Sequence, residues 1–99
     1  MLKEQKARSC SHDAKHRTAS IAVGTGGCKA REENGAVLLG KDGVVVGVDV
    51  GPDTPGRTVV LVGRHEDVVR TTEAKLEVSR DARGDIASVI VHGVDSPRS

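Results

Sequence analysis

The sequence predicts an all-β fold: a small antiparallel barrel or sandwich of five to six short strands, arranged as a meander of hairpins. Three observations support this prediction. Apolar and polar residues alternate along short runs, turn signals separate those runs, and the second half of the chain has no helical periodicity. We expect a flexible, largely disordered basic N-terminal arm at 1–34, a compact β domain at 35–94 and a frayed tail at 95–99.

The strongest strand signals lie in 35–63, where three apolar runs are rich in valine. Asp42-Gly43 separates the first two runs and is typical of a two-residue hairpin turn, because both positions require positive φ. The cross-strand pairs predicted on one apolar face are Val37 with Val48 and Leu39 with Val46. The Pro- and Gly-containing segment 51–56 ends the second run, and 57–63 is predicted as a third strand with apolar residues on both faces.

A second hairpin is predicted from the alternation in 70–80. If 81–84 forms a four-residue loop, the apolar residues of the two strands face each other. The predicted pairs are Ala74 with Val91, Leu76 with Val89, and Val78 with Ala87. The same register predicts a cross-strand ion pair between Arg80 and Asp85.

The composition limits the core of the domain. The chain has 99 residues, 36% of them hydrophobic, with no Phe, Tyr or Trp. Because aromatic side chains supply much of the buried area in small domains, the core here must consist of Val, Leu, Ile and Ala. We therefore expect marginal stability as a monomer, or stabilisation by self-association.

Charge, cysteine content and hydropathy exclude several classes of protein. The net charge of +1 gives no global attraction to nucleic acid or to an anionic membrane. The apolar runs are much shorter than a membrane span, and the N-terminus lacks the apolar segment of a signal peptide. Two cysteines form no disulfide framework. The expected localisation is cytoplasmic, with reduced thiols and no membrane partner.

The N-terminal segment has few apolar residues and no clear periodicity up to Thr18. A solvated arm is the main expectation, with one short strand at 19–23 as an addition to it. Cys10, His12, His16 and Cys28 are weak candidates for zinc ligands, because thiolate and imidazole groups suit a tetrahedral site. Their spacing fits no common zinc motif, so no metal and no cofactor are predicted.

The basic residues of the arm are the candidates for contact with nucleic acid. They are Lys3, Lys6, Arg8, Lys15, Arg17, Lys29 and Arg31. Cations attract phosphate groups regardless of base sequence, and the aromatic residues that stack on bases are missing from the whole chain. These residues therefore support weak, non-specific binding at most.

Catalysis has little support in the sequence. His65, Glu66 and Asp67 are adjacent, and Asp49 and Asp53 belong to the same predicted sheet region. No spacing fixes a nucleophile, a base and a third group together, so no catalytic residue is predicted.

The segment KDGVVVGVDVGPDTPGRTVVLVG, residues 41–63, resembles the core of PRC-barrel domains: a turn, a Gly-x-Val-x-Asp-Val strand and a return strand. The resemblance covers about a quarter of the chain, and the spacing after Gly47 is shorter than in that family. It implies a small barrel that acts as an adaptor or assembly module without catalysis.

The function expected from the sequence is therefore non-catalytic. The chain is predicted to be an interaction module whose partner is a second copy of itself, through strand edges, or another protein. The alternative is weak, non-specific nucleic-acid binding through the basic arm.

Overall fold

The computed structural model describes residues 3–51 and 57–94, and its eight strands form a single sheet. The strands are β1 (Lys3–Lys6), β2 (Ser9–Asp13), β3 (Thr18–Ala22), β4 (Arg31–Leu39), β5 (Val45–Val50), β6 (Thr58–Leu61), β7 (Arg70–Arg80) and β8 (Ile86–His92). Short 3₁₀ turns occupy Lys41–Gly43 and His65–Asp67. The all-β class is confirmed, but the strands number eight rather than five or six. The predicted tail at 95–99 lies outside the described residues.

The sheet has the strand order β1-β6-β5-β4-β7-β8-β3-β2 and curls into an open half-barrel. Every neighbouring pair is antiparallel except β1 and β6, which run parallel. The long strands β4 and β7 form the centre, paired from Arg31–Val78 to Leu39–Arg70.

The two outermost strands of the sheet, β1 and β2, are consecutive in the chain. Only Ala7 and Arg8 connect them: the Ala7 N–H donates to the Leu61 carbonyl at 2.7 Å, and the Arg8 N–H donates to the Ala22 carbonyl at 2.7 Å. These acceptors belong to β6 and β3, near opposite ends of the strand order. The N-terminal segment therefore spans the gap between the two sides of the curled sheet.

Side chains of β1 also bridge this gap, by bonding to residues at the start of β8 and just before it. The amide group of Gln5 accepts from the Ile86 N–H at 3.1 Å and donates to the Ile86 carbonyl at 3.5 Å. The Lys3 ammonium group forms an ion pair with the Asp85 carboxylate. A polar strand with no buried apolar side chain is thereby attached to the fold.

The structure differs from the predicted flexible arm. Residues 3–34 contain β1, β2, β3 and the beginning of β4, and the short strand expected at 19–23 corresponds to β3. Strand pairing satisfies main-chain groups whatever the side chains are, so a polar segment can join a sheet at its border. Only Ala19 and Ile21 carry the inward pattern here, which indicates β3 but gives no signal for β1 and β2.

The core fills the concave side of the sheet with aliphatic side chains only. Its largest fully buried members are Ile21, Leu76, Val37, Val48, Val50, Val60, Val78, Val89 and Val91. A smaller cluster of Leu38, Val59 and Leu61, with Val68 against it, lies apart from this main core. The predicted two-sided burial of the third strand is confirmed, because Val60 lies in the first cluster and Val59 in the second.

The β4–β5 hairpin has a wider loop than predicted. Val37 lies opposite Val48 as expected, but Leu39 lies opposite Val45, not Val46. The Gly40 N–H donates to the Val44 carbonyl at 2.7 Å, so three residues form the loop. Asp42 and Gly43 do have positive φ values of 62° and 79°. The extra loop residue is compensated by a bulge in β5, which brings Val45 into the core.

The β7–β8 hairpin has the same plan. Its loop closes with the Asp81 N–H donating to the Asp85 carbonyl at 2.9 Å, and Gly84 takes a φ of 87°. The apolar faces are as predicted at Val89 and Val91, but Leu76 lies opposite Val91 and Val78 opposite Val89, which is a register shift of two residues. A bulge between Ser79 and Arg80 reduces the shift to one residue beside the loop, where Arg80 lies opposite Ile86. Ile86, rather than the predicted Ala87, belongs to the main core cluster.

The predicted Arg80–Asp85 ion pair is therefore wrong. Arg80 instead forms a forked ion pair with Glu33 on β4. Its Nη1 atom binds one carboxylate oxygen, and its Nη2 atom lies 3.2 Å from the other. Asp85 forms an ion pair with Lys3. The three-residue loop moves Asp85 out of the strand and into the loop-closing position, where it no longer faces Arg80.

Candidate functional site

The first part of β7 forms an unpaired edge of the sheet. β7 pairs with β4 from Arg70 onward, but β8 accompanies β7 only from Leu76. Among residues 3–51 and 57–94, no strand pairs with 70–75 on the side away from β4. We call residues 70–75 the β7 edge.

Gly93 and Val94, the two described residues after β8, turn away from this edge. Gly93 has a φ of 79°, and the N–H groups of Gly93 and Val94 both donate to the Arg17 carbonyl, at 2.9 and 3.0 Å. Because the backbone bends at Gly93, β8 stops short of the β7 edge. A tight turn at the end of one strand thus leaves its neighbour exposed.

A cavity of about 450 Å³ lies beside the β7 edge at one end of the half-barrel. Its apolar lining comes from Val37, Leu39, Ala74 and Val94, and its polar lining comes from Asp42, Arg70, Thr72 and Glu73. This combination suits an extended polypeptide. In that mode of recognition, the added strand forms main-chain hydrogen bonds along a sheet edge and its alternate side chains enter a pocket.

The β7 edge lacks two usual protections against strand addition. Proteins commonly block an exposed edge with proline, a bulge or charged side chains, lysine especially. Residues 70–75, all of which the structure describes, contain no proline and pair regularly with β4, although Arg70, Glu73 and Lys75 are charged. The preceding Val69 is 70% exposed. An accessible edge next to an exposed apolar side chain is a surface that gains from a partner.

The four predicted metal-ligand candidates do not converge. Cys10 and His12 lie on one face of β2, opposite Ile21 and Ala19. His16 lies in the following turn with its Nδ1 atom 2.7 Å from a carboxylate oxygen of Asp13. Within the described part of the chain, no group of three or more His, Cys, Asp or Glu residues is placed to hold a metal ion.

The two cysteines have different surroundings. Burial raises the pKa of the Cys10 thiol, which packs against the core. Cys28 is exposed, and its N–H donates to the Arg80 carbonyl at 2.9 Å. Near Cys10, the buried Nδ1 atom of His12 has no hydrogen-bond partner among the described residues. The hydrogen bond from His16 lowers the pKa of Asp13 at the exposed end of β2.

The seven basic candidates are distributed over the protein. Lys15 and Arg17 lie in the turn before β3, at the end of β3 that pairs with His92. Lys29 and Arg31 line a cleft with the loop that precedes β8. These two groups are also separated across the sheet, because β7 and β8 lie between β4 and β3. Lys3 and Lys6 belong to β1, and Arg8 lies in the connection between β1 and β2.

The acidic and histidine candidates also remain apart. His65, Glu66 and Asp67 form an exposed 3₁₀ turn. Asp49 lies on β5, where its carboxylate is occupied by a forked ion pair with Arg57. Asp53 lies outside the described residues.

Sequence reasoning missed both the β7 edge and the Asp49–Arg57 pair. The edge has a signal in the sequence: the alternating run 70–80 begins before Ala74, the first of its residues given a partner in the predicted hairpin. The ion pair has no such signal, because its partners belong to different strands on either side of a Pro- and Gly-rich connection.

Comparison of the chain with protein-family models, curated proteins and solved structures found no match. The PRC-barrel resemblance of 41–63 is therefore without support from a family model. Within the described residues, no helix is long and apolar enough to cross a membrane.

Proposed function

We propose that this chain is a non-catalytic self-association module, in which the β7 edge pairs with the β7 edge of a second copy. The observation that carries the proposal is the unpaired edge at 70–75 beside the 450 Å³ cavity. An antiparallel pair of edges would extend the sheet across a two-fold axis, which is the usual symmetry of homodimers.

The residues of the edge tolerate pairing with themselves. A two-fold axis at Thr72 would place Thr72 opposite its own copy. The other cross-strand pairs would be Thr71 with Glu73, Arg70 with Ala74, and Val69 with Lys75. No pair sets like charges directly opposite each other, and the aliphatic stem of Lys75 would cover the exposed Val69.

The contact is short, so the expected association is weak and reversible. Stable dimers usually bury more than about 1,000 Å² in total, which one short strand pair scarcely reaches. We expect the weight-average mass to rise from one chain towards two over about 5–500 µM in sedimentation equilibrium. A mass of one chain throughout this range contradicts the proposal.

Two variants locate the contact. Thr72→Asp places two carboxylates at the axis and is expected to abolish self-association. Ser20→Asp adds the same charge at an exposed position of β3 and is expected to leave it unchanged. In a Cys28→Ser background, Thr72→Cys is expected to form an intermolecular disulfide on mild oxidation. Equal effects of the two aspartate variants on the mass would exclude the β7 edge as the interface.

A further inference from the structure

A second cavity, of about 320 Å³, lies at the end of the half-barrel opposite the β7 edge. It is lined by Cys28, Lys29, Arg31, Val78, Arg80, Asp81, Ala82 and Gly84. We call it the basic cleft. Its volume is at the lower limit of ligand pockets, which are typically about 300–1,000 Å³.

Three cations and one carboxylate line the basic cleft. Lys29 and Arg31 are exposed, and neither has a carboxylate partner among the residues that the structure describes. Arg80 is already engaged by Glu33 through a forked pair. Lys29 and Arg31 therefore line the cavity as cations without an ion-pair partner among the described residues.

The carboxylate of the cleft is directed at its own loop. Asp81 Oδ1 accepts from the Arg83 N–H at 2.9 Å and from the Asp85 N–H at 3.1 Å. These two bonds fix the side chain over the hairpin backbone. Asp81 therefore forms no ion pair with Lys29 or Arg31, and its single negative charge is outnumbered by the two cations.

The backbone that carries the cations is held in place. The Cys28 N–H donates to the Arg80 carbonyl at 2.9 Å, and the Ser79 hydroxyl donates to the Cys28 carbonyl. Arg31 belongs to β4 and lies opposite Val78. Because the backbone is already held at these points, little backbone entropy is lost when a ligand binds to the two side chains.

We propose that the basic cleft binds a small polyanion of the phosphate class, held by Lys29 and Arg31 with Arg80 at its wall. Arginine offers a planar fork that matches phosphate oxygens, and lysine supplies a point charge beside it. The site is independent of the β7 edge, since the two cavities lie at opposite ends of the β4–β7 pair and share no lining residue.

Titration of the full chain with inorganic pyrophosphate, followed by amide NMR at low ionic strength, tests this proposal. We expect saturable shifts centred on Lys29, Arg31 and the 81–84 loop. The double variant Lys29→Gln/Arg31→Gln is expected to bind at least about tenfold more weakly. Lys15→Gln, which removes a cation at the other end of the sheet, is the matched control and is expected to bind as the unaltered chain does.

A second readout uses the exposed thiol in the cleft. Pyrophosphate is expected to slow the reaction of Cys28 with the neutral reagent dithiodipyridine and to leave Cys10 unaffected. Shifts centred on Lys15 and Arg17, or equal weakening by the control and the double variant, would overturn the proposal. The proposal would also be overturned if a single-stranded oligonucleotide bound with an affinity that depends equally on Lys15 and Arg31. That result would indicate diffuse electrostatic attraction instead of a local site.

Discussion

Arg57 holds Asp49 in a forked ion pair: its Nη2 atom lies 2.7 Å from one carboxylate oxygen and its Nε atom lies 3.0 Å from the other. The Asp49 side chain is only 9% exposed, whereas that of Arg57 is 44% exposed. The pair joins β5 to the residue that precedes β6, so the connection between the two strands is fixed at its end. A carboxylate so far removed from water requires its partner.

Removal of the Arg57 charge is therefore expected to destabilise the fold. Arg57→Gln should lower the free energy of unfolding by about 1–3 kcal/mol, since it leaves Asp49 buried with fewer charged hydrogen bonds. Urea denaturation followed by circular dichroism measures this change. Arg64→Gln is the control, because the Arg64–Glu66 pair is exposed and 3.6 Å apart; its effect should stay below about 0.5 kcal/mol. Similar losses in both variants would contradict the role given to the Asp49–Arg57 pair.

Gly47 is expected to tolerate no side chain. A Cβ atom there would collide with the Val60 carbonyl and crowd the Leu61 backbone of the adjacent strand, neither of which can move freely. Gly47→Ala should cost about 2 kcal/mol or more in thermal or urea unfolding. Gly24→Ala is the matched control, since a Cβ at Gly24 meets no atom within 4 Å and its φ is not positive. A Gly47→Ala protein as stable as the control would show that β5 and β6 are farther apart than described.

The two cysteines are expected to react at clearly different rates. Because burial raises the pKa of the Cys10 thiol, the thiolate fraction of Cys10 at neutral pH is reduced, and access to the sulfur is restricted as well. Cys28 is exposed and should react first with an aromatic disulfide reagent. Mass spectrometry after partial labelling checks the order. In urea the difference should disappear, and its persistence there would show that burial is not its cause.

The Lys3–Asp85 pair predicts an acid-sensitive attachment of β1. The hydrogen bond and charge of Lys3 lower the pKa of Asp85, so the folded protein holds this carboxylate ionised to a lower pH than the unfolded chain does. The contribution of the pair to stability is thus complete above the ordinary carboxyl pKa and is lost as pH falls through the lowered value.

A carbon-detected NMR titration measures this shift directly. Lys3→Gln should return the Asp85 pKa towards its ordinary value and speed amide exchange in β1, while the Asp13 pKa, lowered by His16, should stay where it is. An unchanged Asp85 pKa in Lys3→Gln would show that another group is responsible.

The sequence predicted the strands whose partners are close in the chain. Val37 and Val48 were placed opposite each other because a strong turn signal lies between two valine-rich runs. The apolar faces of β7 and β8 were also predicted, since alternation depends only on side-chain parity. Parity is unaffected by a register shift of two residues, which is why the faces were right when the pairs were not.

Loop length and distant pairing were beyond the sequence. Whether Asp42-Gly43 closes a two- or a three-residue loop depends on a bulge in β5, and such a bulge is set by packing of Val45 against the core. The partners of β1 and β2 lie in β6 and β3, and the polar side chains of Lys3–Lys6 carry no pattern that selects β6. The sequence shows that Lys29 and Arg31 are cations. It does not show that they line one cleft with the 81–84 loop, because that placement also depends on pairing between distant parts of the chain.

The placement of β1 has a consequence for synthesis on the ribosome. β1 is made before β6 and before Ile86, yet it pairs with β6 and is held through Gln5 by Ile86. The contacts that hold β1 therefore do not exist until these later residues have been made. During translation β1 must stay unpaired until β6 and Ile86 have left the exit tunnel, and its pairing is expected to be a late step of folding.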